Sequence, residues 1–157
     1  NAALIRKTLL KNAAKQAKFF PMKSNHRTAR DGQKTIDAIY TPLLKSQSLA
    51  VLGMGLDGHT ASWFTGAQAL PQALSLSTTQ AVQAITAHPT KVTGDYLERM
   101  TLTLGAFQRC QSLLLLTKGQ EKREVFEQAC QSPTPDLPIS YLIDAIGERL
   151  TVLHLEN

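Results

Sequence analysis

Cysteine is scarce in this chain of 157 residues: its two cysteines, Cys110 and Cys130, are not spaced as a metal site or a redox pair. We therefore expect two reduced, buried thiols and no metal site. Long apolar runs are also lacking, since none approaches the roughly 20 residues that span a bilayer. Lys7 and Lys11 interrupt the apolar stretch around Leu9, which argues against a signal peptide. Together these absences predict a cytoplasmic protein without a membrane segment.

Acidic residues are missing between Asp57 and Asp95. This gap matters because residues 53–58 (Gly-Met-Gly-Leu-Asp-Gly) satisfy the G-x-G-x-x-G pattern of dinucleotide-binding loops. Such loops are followed about 20 residues later by an acid that binds the ribose. Pro71 also leaves little room for the long helix that should follow the loop. The sequence therefore argues against a nicotinamide cofactor.

Negative charge is scarce at the front of the chain, where residues 1–34 carry nine Lys or Arg and the single acid Asp31. A basic front could attract a phosphorylated ligand or a nucleic acid. A charged helix face in water explains it more simply, because the apolar residues here recur at helical spacing with lysines on the other side. We therefore expect no nucleic-acid partner.

The order of apolar runs predicts an α/β protein of three layers, α/β/α, with a mainly parallel sheet. Expected strands are 49–52, 81–87, 99–104, 113–116 and 150–155. Expected helices are 2–18, 119–130 and 140–146. A further helix should be capped by Asp31 and carry Ile36, Ile39, Tyr40, Leu43 and Leu44, with Pro42 ending or distorting it. In helix 119–130, Val125, Phe126 and Ala129 should face inward. Outside strand 81–87, residues 65–98 should be irregular, because glycine and proline punctuate them.

A glycine-rich loop follows the predicted strand 49–52. Gly53, Gly55 and Gly58 allow a sharp turn and a close approach to a ligand. Asp57 and His59 lie in the same loop, at the end of a strand, where open α/β sheets bind ligands. Imidazole is suited to proton transfer near neutral pH, so His59 is a candidate general base. Taken singly, an Asp-Gly turn and a loop histidine are ordinary surface features.

Residues 53–62 (Gly-Met-Gly-Leu-Asp-Gly-His-Thr-Ala-Ser) resemble the signature of the 6-phosphogluconolactonases, whose wider group includes the glucosamine-6-phosphate deaminases. The resemblance continues, in the family's order, in segments 99–104, 119–122 and 137–140. It implies the NagB/6-phosphogluconolactonase-like fold. It also implies hydrolysis of 6-phospho-D-glucono-1,5-lactone to 6-phospho-D-gluconate in the pentose phosphate pathway, with no metal or organic cofactor.

The resemblance also implies roles for residues. His59 would activate the water, and Asp57 would assist or orient it. Gly53, Gly55 and Gly58 would contact the substrate, with the amide of Gly55 or Gly58 as a possible donor to the oxyanion. Trp63 and Phe64 are expected to pack behind the loop, although either could form the floor of the site.

Arg99 and Lys122 would bind the substrate's phosphate. Lys122 has independent support, because a cation in the first turn of a helix opposes the helix dipole unless an anion is bound there. A helix start neutralised by Glu121 and Glu124 is the alternative for Lys122. Arg99 could instead be a surface partner of Glu98 or Asp95.

Two other functions remain open. A sugar-phosphate isomerase or deaminase of the same fold would need a carboxylate after the histidine, and residues 60–66 contain none. A non-catalytic sugar-phosphate sensor is the second, although Asp57 and His59 argue against it.

Family members begin well upstream of Asn1. Residues 1–157 are therefore expected to form a single domain that is the C-terminal portion of a longer one, and activity of this portion alone is left open. A monomer and a homodimer are both compatible with the sequence.

Overall fold

A computed structural model describes residues 2–44 and 47–156. Asn1 and Asn157, the two ends of the predicted single domain, lie outside the described residues. The helices are α1 (Ala2–Thr8), α2 (Ala29–Tyr40), α3 (Leu70–Leu74), α4 (Leu104–Gln108), α5 (Gln120–Ala129) and α6 (Ile139–Ile146). The strands are β1 (Leu49–Gly53), β2 (Val82–Thr86), β3 (Glu98–Leu102), β4 (Ser112–Lys118) and β5 (Leu150–Leu155). Short 3₁₀ helices cover Asn12–Gln16, Thr41–Leu43 and Gly147–Arg149.

The main sheet has three parallel strands in the order β1-β4-β5. Val51 lies beside Leu114, and Leu114 lies beside Thr151. The prediction that the three apolar runs form one parallel sheet is confirmed, and the fold is of the predicted α/β class. Because the strands run in the same direction, the loops after β1 and β4 leave the same edge of the sheet.

One face of this sheet is covered by helices. Leu113 and Leu115 of β4 are fully buried and belong to the same core cluster as Leu142 of α6 and Phe107 of α4. Ala129 of α5 is also part of this core. Val125 and Phe126 pack against it from the side, which confirms the predicted inward face of the helix.

The opposite face of the main sheet is apolar and open among the described residues. Every second residue along a strand points to this side. Its exposed members are Leu49, Val51, Leu116, Leu153 and Leu155. Exposed apolar patches of this kind mark surfaces that bind other protein surfaces or promote aggregation.

A second, antiparallel pair of strands, β2 and β3, packs against α2. Ile36 of α2 and Val82 of β2 share a small core cluster. The predicted strands 81–87 and 99–104 are thus present, but β3 ends at Leu102. The hydroxyl of Thr103 accepts a hydrogen bond from Ala106 N–H and caps α4, so Leu104 belongs to a helix. Short helix α3 also interrupts the region that we expected to be irregular.

The predicted continuous helix 2–18 was wrong. Helix α1 ends at Thr8, and Asn12 has a φ of 52°, which an α-helix does not allow. The amphipathic pattern is present, but Leu4 and Leu9 are 61% and 66% exposed, and no residue of α1 is buried. Isolated short helices are marginal in water, so a pattern without a packing partner does not sustain a long helix.

The cap of α2 also differs from the prediction. Thr28 is the N-cap residue, and its hydroxyl accepts a hydrogen bond from the N–H of Asp31 at 3.1 Å. Asp31 therefore lies in the first turn, where its negative charge is favourable to the helix dipole. The helix ends at Tyr40, and Pro42 lies in the 3₁₀ turn that follows. Proline has no N–H to donate to the helix and clashes with the preceding turn, so it does not continue an α-helix.

The two thiols differ in environment. Cys110 is buried and reduced, as predicted, and its burial raises the pKa of the thiol. Cys130 is free but exposed, so the prediction of a second buried thiol was wrong. It is the C-cap residue of α5.

Candidate active site

The glycine loop leaves the carboxyl end of β1 and closes on itself. The hydroxyl of Thr60, which is fully buried, donates a hydrogen bond to the carbonyl of Gly53 at 2.9 Å. The N–H of Gly55 donates to the carbonyl of His59 at the same distance. These two bonds join the start and the end of the loop, so Asp57 is held at its tip.

Asp57 and His59 form a hydrogen-bonded pair. The carboxylate Oδ1 of Asp57 lies 2.5 Å from Nδ1 of His59 and 3.3 Å from its backbone N–H. A carboxylate without a proton only accepts hydrogen bonds, so a neutral imidazole paired with it would carry its hydrogen on Nδ1 and present Nε2 as the basic nitrogen. The side chains are 22% exposed for His59 and 39% for Asp57, so water can reach the pair. The arrangement can take a proton from a bound water.

Gly55 makes room for this pair. A Cβ atom at Gly55 would overlap the side chains of both Asp57 and His59. Gly53 has open space where its side chain would be, and Gly58 has a φ of 69°, which favours glycine. The amides of Gly55 and Gly58, the oxyanion donors considered from the sequence, both donate hydrogen bonds inside the loop.

Phe64 forms the wall behind His59. The two rings have their centroids 4.6 Å apart and are tilted by 36°. Trp63, next to Phe64, is fully buried; its Nε1–H donates to the carbonyl of Leu102 at 2.9 Å, and its ring meets Phe107 edge-on. Both aromatic residues pack behind the loop, as predicted, and Phe64 also contacts the candidate base.

The Arg99 guanidinium lies over the Phe64 ring, and the His59 imidazole lies beside the same ring. The guanidinium carbon of Arg99 lies 5.2 Å from the centroid of the Phe64 ring. Its Nε donates to the carbonyl of Tyr96 at 3.0 Å, and one terminal nitrogen donates to the carbonyl of Thr93 at 2.6 Å. The guanidinium is therefore fixed in position beside the aromatic wall, and no ion pair with Glu98 is found among the described residues.

Lys122 lies in the first turn of α5, directly after β4. Since β1 and β4 are parallel neighbours, this turn lies at the same edge of the sheet as the glycine loop. Neighbouring charged side chains have other partners on the helix: Arg123 pairs with Glu127 at 3.0 Å, and Glu124 accepts a hydrogen bond from the side chain of Gln120. In the described part of the chain, no acidic side chain is paired with the Lys122 ammonium.

One contact of the loop escaped the sequence reasoning. Residues 134–140 lie against Gly58, with Leu137 packed on it and the N–H of Ile139 donating to its carbonyl at 2.9 Å. The signal in the sequence was the segment 137–140, which matched the family without any role attached. Because the two segments are far apart in the chain, only the tertiary structure brings them together.

The fold and the site together define an α/β protein with a carboxylate–imidazole pair at the carboxyl edge of a parallel sheet. A family model described as glucosamine-6-phosphate isomerases/6-phosphogluconolactonase matches residues 1–152. The chain therefore belongs to the family of the glucosamine-6-phosphate isomerases and 6-phosphogluconolactonases.

Three similar proteins are each named 6-phosphogluconolactonase. The chain is 35% identical to the 6-phosphogluconolactonase of Neisseria meningitidis serogroup A over 99% of its own length and 66% of that protein. It is 38% identical to that of Xylella fastidiosa, with 97% and 62% covered. The crystal structure of a 6-phosphogluconolactonase from Shewanella baltica superposes with a TM-score of 0.84 at 30% identity, over 98% of this chain and 63% of that one. The chain thus spans slightly less than two thirds of the length of these relatives.

No helix in the described ranges, 2–44 and 47–156, has both the length and the apolar character needed to cross a membrane.

Proposed function

We propose that the protein containing this chain hydrolyses 6-phospho-D-glucono-1,5-lactone to 6-phospho-D-gluconate, a step of the pentose phosphate pathway. The observation that carries the proposal is the 2.5 Å contact between Asp57 Oδ1 and His59 Nδ1. With Nδ1 donating to the Asp57 carboxylate, Nε2 would be free to act as a base. The relatives named 6-phosphogluconolactonase at 30% identity or more support the choice of substrate.

In the proposed reaction, Nε2 of His59 takes a proton from a water molecule as its oxygen attacks the lactone carbonyl. The carbonyl oxygen becomes an oxyanion in the tetrahedral intermediate. When the intermediate collapses, the bond to the ring oxygen breaks, and His59 returns the proton to that oxygen. The products are a carboxylic acid, which ionises, and a hydroxyl group. Asp57 stabilises the imidazolium that forms between the two steps.

The phosphate group would be bound by Arg99 and Lys122. The Arg99 guanidinium is fixed over the Phe64 ring and retains one terminal nitrogen beyond those that bind Thr93 and Tyr96. Lys122 gains from a phosphate because the anion would offset the unfavourable position of a cation at a helix N-terminus. Gly53, Gly55 and Gly58 would let the substrate approach the backbone of the loop closely.

The same residues argue against the two rivals on chemical grounds. A deaminase moves a proton between two carbons and needs a further acid–base group, and residues 60–66 hold no carboxylate. A sensor needs no base, whereas the Asp57–His59 pair has the arrangement of one.

Hydrolysis by water and an imidazole base needs no metal or organic cofactor, and the phosphorylated substrate suits a cytoplasmic enzyme. Neither a nucleic acid nor a membrane takes part, and a monomer or a homodimer would serve.

The test is a lactonase assay on the native protein that contains these residues. Formation of 6-phosphogluconate is followed through a coupled dehydrogenase, and the spontaneous hydrolysis of the lactone is subtracted. His59→Ala should lower kcat by about 10²–10⁴-fold, the usual contribution of a general base. His26→Ala is the matched control, since His26 contacts Ser24 on an exposed part of the chain.

A His59→Ala protein with near wild-type kcat would overturn the mechanism. Loss of activity in Asp57→Asn together with its retention in His59→Ala would transfer the role of base to Asp57. Release of ammonia from glucosamine 6-phosphate, in place of lactone hydrolysis, would identify the deaminase reading as correct.

A further inference from the structure

We propose that Ser140 is a positioning residue for the Asp57–His59 pair, acting through the turn of residues 134–140 on Gly58. The proposal rests on the proposed lactonase function for its catalytic consequence. Ser140 touches neither Asp57 nor His59; its effect would pass through Leu137 and Ile139.

Gly58 is the point at which the turn meets the loop, and it stands between Asp57 and His59 in the chain. Its carbonyl accepts a hydrogen bond from the N–H of Ile139 at 2.9 Å. A Cβ atom at Gly58 would stand 2.7 Å from Leu137 Cδ2 and 2.9 Å from Leu137 Cα. The loop is thus held from outside by backbone and side-chain contacts at the residue that joins the catalytic pair.

Ser140 organises the turn that makes these contacts. It is 1% exposed, and its Oγ donates to the carbonyl of Leu137 at 2.6 Å and accepts from the N–H of Thr134 at 2.8 Å. Thr134 and Leu137 also form an isolated β-bridge. One buried hydroxyl therefore ties the start of the turn to the residue that packs on Gly58.

A second hydrogen bond attaches the turn to Thr65, which follows the glycine loop in the chain. The hydroxyl of Thr65 donates to the carbonyl of Asp136 at 3.2 Å. The turn is thus attached to residues on both sides of His59, at Gly58 and at Thr65. If the hydroxyl of Ser140 is lost, the N–H of Thr134 loses its acceptor, and the carbonyl of Leu137 keeps only the backbone N–H of Ser140 as a donor. The turn is then held less firmly and should shift to satisfy the Thr134 N–H.

The consequence for catalysis follows from geometry. Catalytic groups must be held close to the productive arrangement, and a misplacement of about 1 Å costs about 10²-fold in rate. Ser140 should therefore affect kcat more than KM, because the phosphate-binding candidates Arg99 and Lys122 lie on other segments. We expect a loss of roughly ten- to a hundredfold in kcat when the hydroxyl is removed.

The experiment compares Ser140→Val with Ser140→Thr in the native protein. Valine and threonine have nearly the same shape, and valine carries a methyl group where threonine carries the hydroxyl. Thr103→Ala is the structural control: its hydroxyl is also fully buried at a helix start, donates to Gln80 at 2.7 Å and accepts from Ala106. All variants are assayed well below their melting temperatures.

The proposal predicts low kcat with little change of KM in Ser140→Val, recovery in Ser140→Thr, and a wild-type kcat in Thr103→Ala. Equal activity of Ser140→Val and Ser140→Thr would overturn it. A fall of kcat in Thr103→Ala in proportion to the fall of its melting temperature would also overturn it, because lost stability alone would then explain the effect. If Ser140→Val does not fold, Leu137→Ala tests the same contact, and a wild-type kcat in that variant would count against the proposal.

A readout without activity separates the two proposals. Hydrogen exchange of the Ile139 amide should be faster in Ser140→Val than in Ser140→Thr, because its bond to Gly58 is weakened. If the wild-type protein does not hydrolyse the lactone, the proposed function fails, while the exchange still measures the contact. Unchanged exchange in Ser140→Val would show that the hydroxyl does not hold the turn on the loop.

Discussion

Gly55 and His59 are joined in two ways. The N–H of Gly55 donates to the carbonyl of His59 at 2.9 Å, and the space of a Gly55 side chain is occupied by the His59 imidazole. The absence of a side chain at one residue thus determines the position of the ring at the other. Asp57, whose carboxylate borders the same space, is held by the same arrangement.

Gly55→Ala should therefore displace the pair. The added methyl group overlaps both side chains, so His59 must turn away from Asp57 or the loop must open. We expect a loss of about 10²-fold or more in kcat, comparable to removing a base. The chemical shifts of the His59 ring protons, followed by NMR, should move as well. A Gly55→Ala protein with wild-type kcat would show that the pair is not needed in this geometry.

Gly53→Ala is the informative comparison. Gly53 has no atom within 4 Å of the position of a Cβ, so the substitution should not disturb the fold. A raised KM with unchanged melting temperature would indicate that the substrate approaches the backbone at Gly53. Unchanged kinetics would remove Gly53 from the substrate-binding residues.

Lys122→Ala should mainly raise KM. A phosphate contact is made in both the substrate and the transition state, so its loss weakens binding with little effect on kcat. A charge-assisted bond contributes about 1.5–3 kcal/mol, which corresponds to roughly tenfold or more in KM. Arg123→Ala is the control, because Arg123 is paired with Glu127 at 3.0 Å. Equal effects of both substitutions would indicate a general effect of positive charge.

The two thiols should react in sequence. Cys130 is exposed, but burial of its sulfur and the charge of Glu127 raise the pKa of its thiol. The thiolate is the reactive form, so labelling by a disulfide reagent should increase as the pH rises towards this raised pKa. Glu127→Gln should speed the labelling of Cys130 at pH 8. Cys110, whose pKa is raised by burial, should react only after unfolding, and rapid labelling in the folded protein would contradict its buried position.

The open face of the main sheet should bind a hydrophobic dye when residues 1–157 are produced by themselves. Val51→Thr and Leu153→Thr should lower the fluorescence of ANS, because both side chains are exposed on this face. Thr151→Val, which adds an apolar group beside Leu114 in the same register, should raise it. Absence of ANS binding by the unmodified chain would mean that the face is covered in solution.

The sequence determined the features that depend on neighbours along the chain. The three parallel strands were marked by apolar runs, and α5 and α6 by helical periodicity and glycine or proline boundaries. The glycine loop was also predictable, because the contacts of Asp57 and His59, and of Gly53 and Thr60, lie within eight consecutive residues. Their geometry needs only the turn that the glycines allow.

Tertiary structure decided what depends on distant segments. The amphipathic pattern of 2–18 is present, but the described part of the chain leaves Leu4 and Leu9 mostly exposed, and the helix ends at Thr8. Residue burial likewise separated Cys110 from Cys130, which the sequence could not distinguish. Packing against other elements supplies most of the stability of a helix, so periodicity alone does not fix its length.

The site shows the same division. The identity of the proposed acid–base pair is local, whereas its surroundings are not. Arg99 meets the Phe64 ring, and Leu137 packs on Gly58, only because the fold brings β3 and the turn before α6 to the glycine loop. Such contacts follow from topology and packing, which no spacing of residues along the chain encodes by itself.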